Sequence, residues 1–234
     1  DLEMSFVEQE DVFNVVEELL VNTFKKFSNK KLMYDKFPKI SYRDSMLKYG
    51  SDKPDLRKDK NDPNELAFAW IINFPLFVEQ SEEDKFHGAG DTWAPSHNMF
   101  TAPKEEDVHL LDSDPGKARA YQHDLALNGF EVGGGAIRIH DMKIQEKVWD
   151  LIEFSDEQKK QFQHYFEAFK YGVPPHGGIA PGLDRLMMIL QGEKNLREVT
   201  AFPLTTDGRD PMMDSPSEVN QEQLDELGLS IKKK

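Results

Sequence analysis

The dipeptide Asn128-Gly129 separates two runs rich in alternating apolar residues, 117–127 and 130–139. Asn-Gly so flanked is the strongest short signal for a two-residue hairpin turn. It commits the chain to at least one antiparallel strand pair. A two-residue turn pairs Leu127 with Phe130, Ala126 with Glu131 and Asp124 with Gly133. Side chains alternate between faces. Asp124 and Glu131 then share one face as diagonal neighbours, roughly 7–8 Å apart at the backbone. Two carboxylates so placed can share a magnesium ion, which takes one or two carboxylates plus phosphate oxygens and water. On spacing alone, a pair of solvated surface acids is the commoner outcome. The run Gly133-Gly134-Gly135 shifts the balance. Glycines inside a strand serve no packing purpose but admit a ligand pressed against the backbone. Arg138 lies seven residues after Glu131, an odd separation that puts it on the opposite face of a regular strand. The glycine run can host a bulge that re-aims it, so an irregularity is expected between Gly133 and Ile137.

The rest of the chain mixes helices with strands. Residues 10–27 place Val12, Phe13, Val16, Leu19, Leu20 and Phe24 at helical spacing. Ser41 with Asp44 fits a capping box before a short helix that stops near Gly50. Residues 51–65 are charged and broken by Pro54 and Pro63, and read as a loop. Residues 66–78 read as a buried strand, and residues 79–96 as a polar, Gly-rich mobile loop. Residues 141–154 read as a helix. Ser155 with Gln158 caps another, with Phe162, Tyr165, Phe166 and Phe169 on its buried face and Gly172 at its end. The class is therefore α+β, an antiparallel sheet flanked by helices, with no linker long and polar enough to demand a second domain.

Composition narrows the function. Of 234 residues 38% are apolar, enough for a sizeable core. A net charge of −14 argues against broad non-specific nucleic-acid binding, though not against a local basic groove for the end of a tRNA. With no cysteine, disulfides and thiolate–zinc sites are excluded and a reducing compartment is allowed. No apolar run reaches membrane-spanning length and no secretory signal opens the chain.

The stretch Gly178-Ile179-Ala180-Pro181-Gly182-Leu183-Asp184-Arg185-Leu186 leads from a small, Gly/Pro-rich approach into an apolar helical run. A helix N-terminus favours anions, and an Arg in its first turn can grip a phosphate through its planar fork. Read alone, it is equally compatible with a turn before an amphipathic helix and a solvated Arg185. The stretch resembles motif 3 of the class II aminoacyl-tRNA synthetases. Over a longer span, from Tyr171-Gly172-Val173-Pro174-Pro175-His176 to Ala201-Phe202-Pro203, it resembles the aspartyl enzymes of bacterial type. Asn128 through His140 and Tyr49-Gly50-Ser51-Asp52-Lys53-Pro54-Asp55-Leu56-Arg57 are also similar to that family; the latter takes no catalytic role here.

The resemblance implies a class II catalytic-domain fold and an aspartate–tRNA ligase activity in the cytoplasm. Its substrates would be aspartate, ATP and the acceptor end of tRNA, with Mg2+ as cofactor. It implies that Asp124 and Glu131 serve magnesium and ATP, and that Arg138 binds the substrate's side-chain carboxylate. Arg185 would hold the γ-phosphate of a bent ATP, with Gly182 beside it. His97 would add a second contact to that carboxylate; unaided, a lone His here reads as a surface or capping residue. Many relatives carry His where Asn98 stands, and Asn donates a hydrogen bond but cannot charge. Asp1-Leu2-Glu3-Met4-Ser5-Phe6 looks like the last strand of motif 2, so Asp1 would meet the substrate ammonium and Glu3 the adenine and ribose. His87, His109, His123, His140, His164 and His176 show no metal-ligand spacing and read as structural or surface residues. The chain corresponds to a partial catalytic domain, residues 1–234. Motif 1, which builds the family's homodimer interface, is missing. So are the motif 2 loop with its α-phosphate Arg and the anticodon-binding barrel. The family's inserted domain is absent at about 58–65. As given, it is expected to be weak or inactive. The alternatives are an asparagine-activating relative, a non-catalytic paralogue that binds an adenylate or a protein, and a magnesium-dependent hydrolase using Asp124 and Glu131.

Overall fold

A computed structural model describes residues 1–80 and 92–232. Ten strands and eight α-helices are laid out along them in chain order. Strand β1 (Leu2–Ser5) precedes helix α1 (Gln9–Phe27), whose start carries a capping box between Glu8 and Asp11. Strands β2 (Lys31–Leu32) and β3 (Lys39–Ser41) lead to α2 (Tyr42–Tyr49). As the sequence predicts, Ser41 caps α2 and Gly50 ends it, with φ 66°. Residues 58–64 form a compact turn in which Arg57 Nη1 donates to the Asp62 carbonyl. Then come β4 (Glu65–Leu66), β5 (Phe68–Ile72), β6 (Phe77–Glu79) and β7 (Trp93–Pro95). The buried strand foreseen over 66–78 therefore ends at Ile72, where Asn73 turns left-handed with φ 57°. The flanks of the loop expected over 79–96 pair as β6 and β7, with Phe77 opposite Pro95 and Glu79 opposite Trp93. Its middle, residues 81–91 with His87, lies outside the described residues.

After α3 (Leu110–Ser113), the hairpin β8 (Gln122–Leu127) and β9 (Phe130–Ile137) occupies the centre of the sheet. Asn128 and Gly129 both have positive φ, 52° and 89°, as the mirror-image turn requires. Asn128 also bolts the turn to its neighbours: its Oδ1 accepts from Ala67 N–H and its Nδ2 donates to the Glu65 carbonyl. Helices α4 (Met142–Leu151), α5 (Asp156–Gln161) and α6 (Gln163–Lys170) follow, so the single helix expected after Ser155 is broken at Phe162. Strand β10 (His176–Pro181) runs into α7 (Leu183–Gln191), and α8 (Gln221–Glu226) closes the described part.

The main sheet has the order β1-β10-β9-β8-β5-β3. All its pairs are antiparallel except β3 with β5 at one edge, which corrects the purely antiparallel expectation. Helices α1 and α7 cover one face. Val12, Phe13, Val16, Leu20 and Phe24 pack there with Phe68, Trp70, Leu125, Ile179 and Leu186. Leu19 was expected in that core but is 56% exposed, since it falls on the outer side of α1 beside Val15. A second core forms around Trp149, fully buried among Phe100, Phe154, Phe162 and Phe166. On the other face of the central hairpin a small third cluster packs Ala126 with Ile71 and Phe74, and the face beyond it, around Glu131 and Gly134, is left partly open. No helix among the described residues is long and apolar enough to cross a membrane.

Candidate active site

The open face is built by a bulge. In the hairpin Ala126 faces Glu131, but Leu125 faces Gly133, and the register shifts between them. Val132 is the extra residue. Asp124 therefore pairs with Gly134, not with Gly133. From Gly133 to Ile137 the ladder to both neighbours is regular, so the expected irregularity lies upstream of the place predicted. Its effect is the expected one: one inserted residue reverses the parity. Glu131, Gly134 and Arg138 now share a face, with Asp124 opposite Gly134. The Val132 carbonyl accepts from Gly182 N–H at 2.8 Å, so the bulge also fixes the entry to α7.

The three glycines divide. A methyl on Gly134 would lie 3.4 Å from Asp124 Oδ1, 3.5 Å from Glu131 Oε1 and 3.8 Å from His97 Cε1. Gly134 thus sits at the meeting point of both carboxylates and the imidazole. A methyl on Gly133 would point to the core against Ile179, 3.2 Å away. A methyl on Gly135 would collide with the Gly178 carbonyl oxygen and lie 2.9 Å from His123 Nε2. Two of the three therefore do serve packing, contrary to expectation, and only Gly134 faces the site.

Asp124 is 8% exposed, and Gln122 Nε2 donates to both its oxygens, at 3.3 and 3.2 Å. Burial, against the help of Gln122, pushes its carboxyl up to about 7; Glu131 and Asp52 add repulsion and Lys53 opposes it. A carboxylate kept short of its charge by burial, beside a second one, is a fit place for a divalent cation. Two carboxylates match the usual magnesium donor set, which draws its other oxygens from phosphate and water. No group of three or more His, Cys, Asp or Glu suited to a metal occurs among the described residues.

Arg138 Nε and Nη2 donate to the two oxygens of Glu3, at 3.2 and 3.4 Å. Glu3 is placed there by the β1–β10 pairing, where it faces Gly178. A side chain on Gly178 would strike Glu3 and the Leu2 carbonyl. Asp1 is exposed and precedes β1, which begins at Leu2, so no strand pairing places it in the site. His97 has its pKa lowered, first by desolvation and then by Arg138, with Glu131 opposing. Asn98 does not join the others: its Oδ1 accepts from Phe100 N–H and Thr101 Oγ1 in its own loop, at 3.0 and 3.2 Å. Arg185 sits in the first turn of α7, where the N-cap Gly182 offers no side chain. Its Nη1 donates to the Glu131 carbonyl at 2.7 Å. A cavity of about 190 Å³ joins Arg185, Gly182 and Asp184 to Glu131 and Gly134. Another cleft, of about 850 Å³, runs across one end of the sheet past Phe6, Tyr121 and Pro175 and touches this constellation only at Arg138.

Sequence reasoning missed two participants. Gln122 is two residues before Asp124 on one strand, so alternation alone places it on the same face. Tyr165, whose hydroxyl is pushed up to about 12 by burial and feels the charge of Arg138, comes from α6 and carries no such signal.

Residues 1–206 match the family described as tRNA synthetases class II (D, K and N). The chain belongs to that family. Curated relatives include the aspartate–tRNA(Asp/Asn) ligase of Pelagibacter ubique, 34% identical across 100% of this chain and 60% of that protein. The aspartate–tRNA(Asp/Asn) ligase of Treponema denticola is 45% identical over 82% of the chain and 32% of its own length. The chain thus spans 60% or less of these relatives. Among solved structures, an aspartyl-tRNA synthetase from Entamoeba histolytica aligns with TM-score 0.62 and 23% identity, covering 89% of this chain and 43% of that one. An asparaginyl-tRNA synthetase from the same organism, in complex with asparaginyl-adenylate, gives 0.61 and 20% over 89% and 47%. These likenesses establish a class II catalytic fold and do not separate the two amino acids.

Proposed function

We propose that this chain is the catalytic portion of an aspartate–tRNA ligase, which activates aspartate with ATP and transfers it to the acceptor end of tRNA. The observation that carries the reading is Arg138. Its fork already holds a carboxylate, that of Glu3, on the face that bears Asp124 and Glu131. Such a planar fork matches a carboxylate in geometry and charge. The side-chain carboxylate of aspartate takes the place of Glu3 on Arg138 and gains a second contact from His97. Asp1 meets the substrate ammonium. Glu3, once displaced, is free to turn to the adenosine.

Arg185 and Gly182 hold the far end of the triphosphate at the α7 N-terminus. An oxygen of the aspartate α-carboxylate attacks the α-phosphorus, the bond from that phosphorus to the bridging oxygen breaks, and pyrophosphate leaves with the electron pair. A ribose hydroxyl of tRNA then attacks the acyl carbon, its proton passes to a phosphate oxygen of the departing AMP, and the bond from the acyl carbon to that AMP breaks. Positioning and charge neutralisation do most of this work. Asp124 and Glu131 would hold magnesium, which neutralises phosphate charge when bound. The parent enzyme would be cytoplasmic and homodimeric, and the turn at 58–64 would stand where relatives carry an insert.

The test is calorimetric binding of a non-hydrolysable aspartyl-adenylate analogue to the chain and to Arg138→Leu. We expect binding to the chain and a loss of about 100-fold in the variant, the worth of a charged bidentate contact. Equal affinity in both proteins, or equal affinity for the asparaginyl analogue, would overturn the assignment.

A further inference from the structure

Arg185 faces a second cleft, of about 480 Å³, on the side of the hairpin turn. Lys53, Gly129, Glu131 and Lys194 line it with Arg185. The chain carries 43 acidic against 29 basic residues, yet this cleft gathers three cations around one carboxylate. Their donors are largely unspent. Among the described residues Lys53 makes one ion pair, a long one with Asp52 at 3.8 Å. Lys194 is exposed and has no hydrogen bond or ion pair among the described residues. Arg185 donates Nη1 to the Glu131 carbonyl at 2.7 Å, with Glu131 Oε1 3.9 Å from the same nitrogen, and its Nε and Nη2 have no partner among the described residues.

Lys53 is also held in place. It belongs to the segment 49–57, to which sequence reasoning gave no role. Ser45 Oγ donates to the Ser51 carbonyl at 2.6 Å, and Lys53 N–H donates to Ser51 Oγ at 3.1 Å. Two residues on, Arg57 clamps Asp55 with Nε and Nη2, at 3.0 and 2.7 Å. Asp55 lies against the turn: a methyl on Gly129 would be 3.7 Å from its Cβ. The segment therefore presents Lys53 from a fastened loop to the mouth of the cleft.

We propose that Lys53 and Lys194 form, with Arg185, an anion subsite for inorganic pyrophosphate, the group released when the adenylate forms. The inference rests on the reading of Arg185 as the triphosphate clamp. Pyrophosphate is compact and multiply charged, and suits one fork and two point charges converging on a small cleft. A nucleic-acid backbone spreads its charge and calls for an extended basic stripe. The cleft shares Glu131 and Arg185 with the cavity beside Gly134, so the two adjoin at these side chains.

Calorimetry with inorganic pyrophosphate and magnesium tests this on the wild type, Lys53→Ala/Lys194→Ala and Lys53→Arg/Lys194→Arg. The alanine pair should bind pyrophosphate at least about tenfold more weakly, the loss of one charge-assisted contact, and the arginine pair should bind it as the wild type does. The aspartyl-adenylate analogue, which lacks the departing phosphates, should bind all three within about twofold, which also shows that the variants are folded. Lysine-dependent pyrophosphate binding in a protein that ignores the analogue would uphold the subsite and overturn the aspartyl reading. Pyrophosphate affinity unaffected by the alanine pair would overturn the subsite.

Discussion

His123 and Asp124 are consecutive on β8, point to opposite faces, and are both buried. Burial neutralises each: it pushes the His123 imidazole down to about 3 and the Asp124 carboxyl up to about 7. On the covered face the neutral group is complete. His123 Nε2 lies 3.2 Å from the Gly178 carbonyl, its Nδ1 lies 3.2 Å from Gln9 Nε2, and Gln9 Oε1 accepts from Lys104. On the open face Asp124 has, among the described residues, one neutral donor, Gln122, whose own Oε1 is buried without a partner among them. A closed polar network rigidifies a core. An incomplete one beside a cavity is a binding site short of its ligand. The same strand thus has a finished side and an unfinished one, and the difference lies in the partners that each neighbour has.

Removing the unfinished charge gives the largest effect. The Asp124 carboxyl is raised from 3.8 to about 7 on folding. Between those values the unfolded chain has lost its proton and the folded chain keeps it, so stability falls as pH rises. The advantage is whole below about pH 4 and gone above about pH 7, a swing on the order of 4 kcal/mol. In chelator, Asp124→Asn should therefore gain on the wild type between pH 5 and pH 8, read as the midpoint of urea unfolding. Parallel curves for the two proteins would mean that Asp124 is as well satisfied as His123, and the contrast would fail.

The finished side breaks by overfilling. His123 crosses over Gly135 to reach Gly178, which leaves no room for a Cβ at residue 135. Gly135→Ala forces β9 and β10 apart and should cost ~3 kcal/mol, the upper end for overpacked cores. Loss of protection of the amides of residues 177–179 in hydrogen exchange should accompany it. A midpoint within experimental error of the wild type would show that the strands yield freely there.

Much of this contrast is legible in the sequence, and the part that is not has a physical reason. Asn128-Gly129 gives the hairpin, Ser41 and Gly50 give both ends of α2, and the apolar run after Gly182 gives α7, because each is a local preference. The sequence brings Asp124, Glu131 and Arg138 to one face through a bulge, but the glycines point to a bulge further along than Val132. A run of three glycines advertises a close approach but not which residue is approached. Only β10 and His123, far away in sequence, decide that Gly135 is filled and Gly134 open. Leu19 follows the helical pattern yet stays exposed for a like reason: a helix wider in apolar residues than its contact leaves some outside. The pairing of Glu3 with Arg138 joins residues 135 apart, and no local pattern carries it.

The smallest effect on stability is the sharpest test of function. Gly134→Ala adds the same methyl one residue from Gly135, on the other face. There it meets Asp124, Glu131 and His97 at 3.4 to 3.8 Å, ordinary contact distances. The backbone at Gly134 is an extended strand, outside the positive-φ glycines, so alanine enters without strain. The unfolding midpoint should move by less than ~0.5 kcal/mol, as for substitutions clear of special features. Yet the methyl occupies the point where the carboxylates and the imidazole converge. Affinity for the aspartyl-adenylate analogue should fall about tenfold or more, the worth of one lost close contact. A variant with full stability and full affinity would show that the ligand does not press on Gly134. The open face of β9 would then be as inert as the covered one.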